Sequence, residues 1–256
     1  MVDTAYEVGI VDKQAYYEES DRRNFSEATI AGSIGFDREY ISKLRSEGFD
    51  ISKLKTFLIG GCYSAKSINA MAKFMHDLNP DQQMTLLVTD INDEALERIN
   101  NHPLSIPDNI KLEIFKDDLT SSKIQSNSVD YIRLDYTQNF VPASSQVKLL
   151  KELKRIMTDH GVISSVVDLI PQAKKWTKKL QRTLSKDKDS IIDISAIGDG
   201  EVKLLPTVEL FQDIARKSGL NMSYYPTKFP VHNAHRDEAT LVVFRKPQNR
   251  NFTRLK

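Results

Sequence analysis

The stretch TFLIGGCYSAKSI, Thr56 to Ile68, reads as a short apolar strand, a turn built on Gly60 and Gly61, and the opening of a helix. Two readings fit it: a loop that cradles a ligand, or an ordinary strand-to-helix turn. The loop by itself does not separate them, because glycines follow strands in many α/β proteins that bind nothing at that point. The decision rests on the segments downstream of it.

Beyond Ile68, strand and helix patterns alternate. KTFLIG is a buried strand, and AKSINAMAKFMHDL is a helix with Ile68, Met71, Ala72 and Met75 on one face. MTLLVTD is a second strand. NDEALERIN is a helix that Asn92 caps and whose first turn carries Asp93 and Glu94. IKLEIFKDD and SVDYIRLDY are further strands, SQVKLLKELKRIMTDHG is a helix with a glycine stop at Gly161, and VISSVVDLI is strand-like. Strands separated by helices predict parallel pairing with right-handed crossovers, and a sheet covered on both faces. In such sheets ligands bind beyond the carboxyl ends of the strands.

The flanks differ in kind. Within 1–53, the stretches DKQAYYEESDRRNFSEATIAGS and FDREYISKLRSEGF read as helices with polar joints, forming a cap before the core at 54–168. A basic helical insertion is expected over 169–203. A sheet-closing part over 204–247 contains the helix TVELFQDIARKSGL, which ends at Gly219, and two strands joined by a polar turn, and 248–256 is a tail. The chain has 256 residues, 40% of them hydrophobic, which suits one α/β domain with one sizeable core. Its 36 basic and 35 acidic residues give a net charge of +1, so no global field draws it to nucleic acid or an anionic membrane. One cysteine, Cys62, excludes an intramolecular disulfide and a cysteine-rich zinc site. No run of about 18 apolar residues is present, and MVDTAYEVGIVDK lacks the basic-then-apolar order of a secretory signal. A cytoplasmic, membrane-free protein is the expectation.

The order of these elements resembles the class I S-adenosylmethionine-dependent methyltransferases over residues 54–168, and more loosely to 247. The resemblance rests on the acid that ends the second strand, Asp90, on the interval from Asp118 to Asp130, and on KELKRIMTDHGVI, similar to the family's E-x-x-R-x-L-k-p-G-G helix and turn. It implies a Rossmann-like, doubly wound, mostly parallel seven-stranded sheet with an antiparallel edge strand. It also implies S-adenosylmethionine as cofactor. Asp90 would accept hydrogen bonds from both ribose hydroxyls, Ile91 would press on one adenine face, and the Asp117–Asp118 pair would sit beside the base. Asp118 would accept from the exocyclic amine while the Leu119 backbone N–H donates to a ring nitrogen. The alternatives are an ordinary helix cap for Asp90 and a solvated turn for DDLTSS.

The glycine loop departs from the family's acidic-x-Gly-x-Gly-x-Gly pattern. Gly61 stands as the first glycine, with Gly60 before it; Tyr63 and Ala65 occupy the other two places, and Ile59 replaces the acid. Glycines are used there because the backbone approaches the ligand too closely for a Cβ. Cys62 needs only to be small and apolar. On the acceptor side, Asp135 and Tyr136 follow the fourth strand and are the first candidates for catalysis. His235 is a further candidate, in a late turn with His232, Arg236 and Asp237. Tyr16 and Tyr17 are candidates to close over the cofactor. RLDYTQNF lacks the Asp/Asn-Pro-Pro-Tyr motif of many nucleobase amino-methyltransferases, which discounts that acceptor class; the leading reading of the resemblance is a methyltransferase acting on a small molecule, on oxygen or nitrogen. Lys174, Lys175, Lys178, Lys179 and Arg182 surround Trp176 and would suit an anionic acceptor, although a solvated insertion face is the better account of them. Two other readings stay open: a catalytically silent relative that serves as a binding or partner protein, and transfer of another group of the cofactor, such as aminocarboxypropyl.

Overall fold

The computed structural model describes residues 27–62, 64–135, 137–141, 143–168, 190–193, 203–206, 208–226 and 239–247. Helix α1, Glu27–Ser46, leads into strand β1, Thr56–Gly60. Then come α2, Ala65–Leu78; β2, Met84–Asp90; α3, Asp93–Asn100; β3, Ile110–Lys116; and β4, Val129–Asp135. A 3-10 turn, Thr137–Phe140, leads to α4, Ala143–Ile156, and β5, Met157–Asp168. The short strands β6, Ser190–Asp193, and β7, Lys203–Pro206, precede α5, Val208–Lys217, and the final strands β8, Asn221–Pro226, and β9, Ala239–Arg245.

Seven strands form one sheet in the order β3-β2-β1-β4-β5-β9-β8. The first five are parallel; β9 runs antiparallel to β5, and β8 antiparallel to β9. The expected closing pair is therefore present, with its antiparallel member β9 one place in from the edge. The strand order reverses between β1 and β4, which puts the switch point at the carboxyl ends of those two strands. Strands β6 and β7 pair with each other in a separate ribbon, and β7 lies against the Thr137–Phe140 turn. The basic helix expected over 171–190 lies outside the described residues, except that Ser190 belongs to β6.

Each face of the sheet carries its own apolar core. Phe57, Ile59, Leu86, Val88, Tyr131 and Val162 meet Ile68, Met71 and Met75 of α2 and Ile41 and Leu44 of α1 on one side. Leu58, Ile132, Leu134 and Ile163 meet Leu149, Leu150 and Leu153 of α4 and Phe211 of α5 on the other. The four residues predicted for the apolar face of α2 are all buried. The expected caps also form: the Asn92 side chain accepts from the Glu94 N–H at 3.2 Å, and Gly219, at φ +68°, ends α5 while the Leu220 N–H reaches the Ala215 carbonyl.

Two expectations are corrected. The fourth helix does not run to Gly161 but ends at Ile156, and MTDHG opens β5. The carbonyls of Arg155 and Ile156 receive the N–H groups of Asn127 and Ser128, which closes the helix early. The Thr158 hydroxyl and His160 Nε2 each lie 3.0 Å from Asp130 Oδ1, and Lys246 donates to the Met157 carbonyl at 2.8 Å, so the segment is held extended. Gly161 is glycine because a Cβ there would come within 2.4 Å of the Met157 side chain. At the N-terminal cap, the joint expected between IAGS and FDREY is absent, and α1 is one continuous helix. Ile34 and Asp37, on either side of that joint, are both buried against the sheet and carry the helix through it.

Asp37 is the polar anchor of α1. It forms a buried ion pair with Arg133 of β4 and accepts hydrogen bonds from the Tyr131 hydroxyl at 2.5 Å and the Ser164 hydroxyl at 2.9 Å. Burial pushes the Tyr131 hydroxyl well above its ordinary pKa, so it stays a donor to Asp37. Asp37→Ala takes the carboxylate away from a buried guanidinium, a change that costs about 3–5 kcal/mol. Urea denaturation should show that loss, and Asp37→Leu combined with Arg133→Met should recover most of it.

Candidate functional site at the carboxyl edge of the sheet

The ends of β1, β2 and β4 converge on the glycine turn, and β2 braces it from below. The N–H groups of Gly61 and Cys62 both donate to the Thr89 carbonyl, at 2.8 and 3.3 Å. Gly61 has φ +71°, a conformation that glycine adopts at little cost. From the other side comes Thr137, whose hydroxyl donates to the Gly60 carbonyl at 2.7 Å. A Cβ on Gly61 would lie 2.5 Å from that hydroxyl oxygen, and one on Gly60 would lie 2.3 Å from the Leu119 side chain. Gly61 is therefore held to glycine by its φ and by Thr137, while a Cβ on Gly60 would press on the side-chain ends of Leu119 and Leu134. Cys62 is buried and unbridged, as a small apolar residue would be. Tyr63 lies outside the described residues, while Ala65 begins α2 and is buried.

At the end of β2, Asp90 is half-buried and accepts the Asn92 N–H at 2.8 Å. Because Asn92 caps α3, Asp90 fixes the turn that opens that helix. Ile91, next to it, is 61% exposed. At the end of β3 the two neighbouring acids divide their roles. Asp117 is buried and accepts from the Ser122 hydroxyl at 2.5 Å and the Lys123 N–H at 3.0 Å, so its carboxylate holds the loop's shape. Asp118 accepts the Thr120 N–H at 2.8 Å, the Thr120 hydroxyl at 3.0 Å and the Ser121 hydroxyl at 3.2 Å. Burial opposes ionisation of Asp118, but these hydrogen bonds outweigh it and hold its carboxyl below the ordinary range. It therefore stays charged at neutral pH, and what it contributes to the loop is lost only as pH falls into the acid range. A carboxylate has about four acceptor positions, so three donors leave one for a ligand.

The E-x-x-R motif of α4 supports the same loop. Glu152 holds Arg155 at 2.7 Å, and the guanidinium donates to the carbonyls of Ser122 and Ile124, both at 2.9 Å, and to the Ser126 hydroxyl at 2.7 Å. Asp135 ends β4, with its side chain outside the described part; Tyr136 and His235 lie outside it altogether, as do Tyr16, Tyr17, Trp176, His232, Arg236 and Asp237. The structure thus brings Gly60, Gly61, Cys62, Asp90, Ile91, Asp117, Asp118, Leu119 and the backbone of Asp135 to one edge. Sequence reasoning missed Thr137. It belongs to no motif, and only the pairing of β1 with β4 sets it over Gly61. No group of three or more potential metal ligands occurs among the described residues, and no helix there is long and apolar enough to cross a membrane.

Solved structures share this architecture. A SAM-dependent methyltransferase of Methanosarcina mazei superposes with a TM-score of 0.55 at 15% identity, over 76% of this chain and 93% of that one. An S-adenosylmethionine-dependent methyltransferase from Clostridium acetobutylicum gives 0.55 at 12% identity, over 91% and 96%. A putative S-adenosylmethionine-dependent methyltransferase from Listeria monocytogenes gives 0.53 at 12%, over 79% and 96%. No protein-family model and no curated protein matches the sequence. The chain therefore has the Rossmann-like fold of the class I S-adenosylmethionine-dependent methyltransferases.

Gly61→Ala should destabilise the protein by about 1–3 kcal/mol, from the strained φ together with the clash at Thr137. Thr137→Ala loses its own bond to the Gly60 carbonyl, so the comparison is made on that background, where Gly61→Ala should cost less by the steric share. Equilibrium denaturation of the single and double variants separates the two contributions.

Proposed function

We propose that the protein is an S-adenosylmethionine-dependent methyltransferase acting on a small molecule, with oxygen or nitrogen as the methylated atom. The observation that carries this reading is Ile91, 61% exposed at the switch-point edge of the sheet and directly beside Asp90. An exposed aliphatic side chain next to a half-buried carboxylate suits a ligand with a flat apolar base and a vicinal diol. Covering Ile91 would contribute about 1–2 kcal/mol.

The residues present fit the cofactor. Asp90 would accept the ribose hydroxyls, Ile91 would cover an adenine face, the remaining acceptor position of Asp118 would take the exocyclic amine, and the Leu119 N–H would donate to a ring nitrogen. Asp117 and Arg155 act indirectly, through the loop they hold. Bound there, S-adenosylmethionine would supply a methyl group activated by its sulfonium. The chain's own task is then to orient an acceptor, exclude water, and take a proton where the acceptor carries one. Asp135 is the proposed base, since β4 delivers it to the same edge as Gly60, with Tyr136 beside it in sequence. His235 is the next candidate for that proton.

A second reading, a silent relative, is favoured by one observation: the Gly61 and Cys62 N–H groups are bonded to the Thr89 carbonyl and Thr137 fills the space over Gly61. Calorimetry with S-adenosylmethionine decides, because the silent relative shows no binding. Where binding occurs, Asp90→Ala should weaken it by about 2–4 kcal/mol, or about 30- to 1000-fold, alongside a stability loss of about 1 kcal/mol from the bond to the Asn92 N–H. Equal affinity in the variant would remove the ribose assignment. Once an acceptor is found, Asp135→Asn should lower turnover by about 10²–10⁴-fold at unchanged cofactor affinity. S-adenosylhomocysteine as by-product supports methyl transfer, whereas methylthioadenosine would indicate aminocarboxypropyl transfer.

A further inference from the structure

Polar atoms buried without a partner are rare in native proteins, and each calls for an explanation. Among the described residues several of them gather at one place, around the Thr137–Phe140 turn. Gln138 is completely buried, and neither its amide nitrogen nor its amide oxygen has a hydrogen-bond partner. Gln146 of α4 is also completely buried; its Nε2 donates to the carbonyls of Gln138 at 2.6 Å and Val141 at 2.8 Å, while its Oε1 has no partner. Ser165 of β5 is buried with its hydroxyl unpartnered, and it pairs with Leu134 just before the end of β4. The turn packs against β5, the strand that carries Ser165, and the carbonyls of Gln138 and Val141 hold Gln146.

Ser165 falls between Ile163 and Val167, which face α4, and Gln138 and Gln146 lie in the turn and helix that follow the carboxyl end of β4, the edge where doubly wound folds bind ligands. Each unpaired atom costs about 1–3 kcal/mol of desolvation. Single buried polar atoms are also left without a hydrogen-bond partner elsewhere, the Thr89 hydroxyl and His160 Nε2 among them, but four of them gather around this one turn, whereas Asp130 and Asp117 each take bonds from two or more donors. The unpaired set is also specific in chemistry. It offers an N–H₂ donor, two amide carbonyl acceptors and one hydroxyl, with no charge. A carboxylate or ammonium placed against neutral dipoles in a buried site would lose its hydration without a counter-charge. A neutral group with its own N–H and carbonyl side by side would satisfy the set.

We propose that Gln138, Gln146 and Ser165 form a buried, uncharged subsite that receives the acceptor through a carboxamide-like group: a primary or secondary amide, a lactam or a ureide. The inference deepens the methyltransferase reading by naming the acceptor class. It also replaces the expectation of an anionic acceptor, which rested on the basic segment outside the described residues.

Two measurements on the full chain test it. The first is the thermal stability of Gln138→Leu. A side chain kept for a ligand is dispensable to the fold, so the melting temperature should stay level or rise as an unpaired amide is replaced by an apolar group of similar size. If the amide instead belongs to a structural network completed by water, the melting temperature falls by several degrees, and the proposal fails. The second uses benzamide, benzoate and methyl benzoate as probes, titrated by ligand-observed NMR without and with S-adenosylhomocysteine. Benzamide should bind at least tenfold more tightly than the other two, and Gln138→Leu and Ser165→Ala should each weaken it at least tenfold. Equal binding of the three probes, no binding of benzamide, or indifference to both substitutions overturns the proposal. Binding of S-adenosylhomocysteine to the wild type is read separately by calorimetry. Its absence would remove the methyltransferase reading and leave the benzamide preference, measured without cofactor, to stand or fall alone.

Discussion

The carboxylate of Asp130 ties together the starts of the three strands on which the site depends. Its Oδ2 accepts the N–H groups of Lys55 and Thr56, both at 2.9 Å, just where β1 begins. Its Oδ1 takes the Thr158 hydroxyl at 3.0 Å and has His160 Nε2 at the same distance, which draws in the start of β5. Asp130 itself lies in β4, so one buried side chain fixes the mutual alignment of β1, β4 and β5. The β4–β5 pairing is irregular at Asp130 itself, from Val129–Met157 to Tyr131–Val162, and Asp130 holds that irregular segment; from Tyr131–Val162 to Asp135–Val166 the register is regular, and the fixed rise per residue carries the alignment to the other end. The carboxyl ends of the same strands present Gly60, Asp135 and Ser165. An acid at the amino edge thus sets the spacing of groups at the opposite edge without touching them.

The two faces of the sheet treat polarity differently. On the α1 face, Asp37, Arg133, Tyr131 and Ser164 form a closed set in which charge meets charge and both hydroxyls have an acceptor. That arrangement holds a long helix on a sheet whose fourth strand carries an arginine, and it adds directionality to what apolar packing alone would leave free to slide. On the α4 face, the polar side chains near the carboxyl edge are left incomplete. The ion-paired set fastens a helix to the sheet, and the incomplete one sits where a doubly wound sheet meets its ligands.

Much of the core was legible because its signals are local. The apolar spacing in AKSINAMAKFMHDL, the cap at Asn92 and the stop at Gly219 each depend on neighbours within a turn or two, and each forms as read. The misreadings came where distant residues overrule local preference. MTDHG follows a strong helix and ends in glycine, yet Asp130, from another strand, and Lys246, from the end of the sheet, hold it extended. IAGSIGFDREY contains two glycines that suggest a joint, yet burial of Ile34 and Asp37 keeps one helix. At the candidate site, the placement of Asp90 and Asp118 at the carboxyl edge was readable because each follows a strand pattern. Thr137 and Gln138 carry no such mark, since what makes one a brace and the other an unpaired amide is the packing of β4 beside β1 and β5.

The glycine turn shows how the opening ambiguity resolves physically. A loop that cradles a ligand through its backbone must keep its N–H groups available and its surface clear of side chains. Here Gly61 and Cys62 give their N–H groups to Thr89, and Thr137 covers Gly61. The glycines are thus explained by close packing of three strand ends, whether or not a ligand lies above them. Recognition in the proposed function then shifts to side chains on the neighbouring strand ends, Asp90, Ile91 and Asp118, each fixed by its own local turn. This division also accounts for the departure from the family's glycine pattern: a turn clamped from both sides by the chain itself needs glycine only at the two points of clamping, Gly60 and Gly61. The places taken by Tyr63 and Ala65 fall after the clamp, and Ala65 already belongs to the helix.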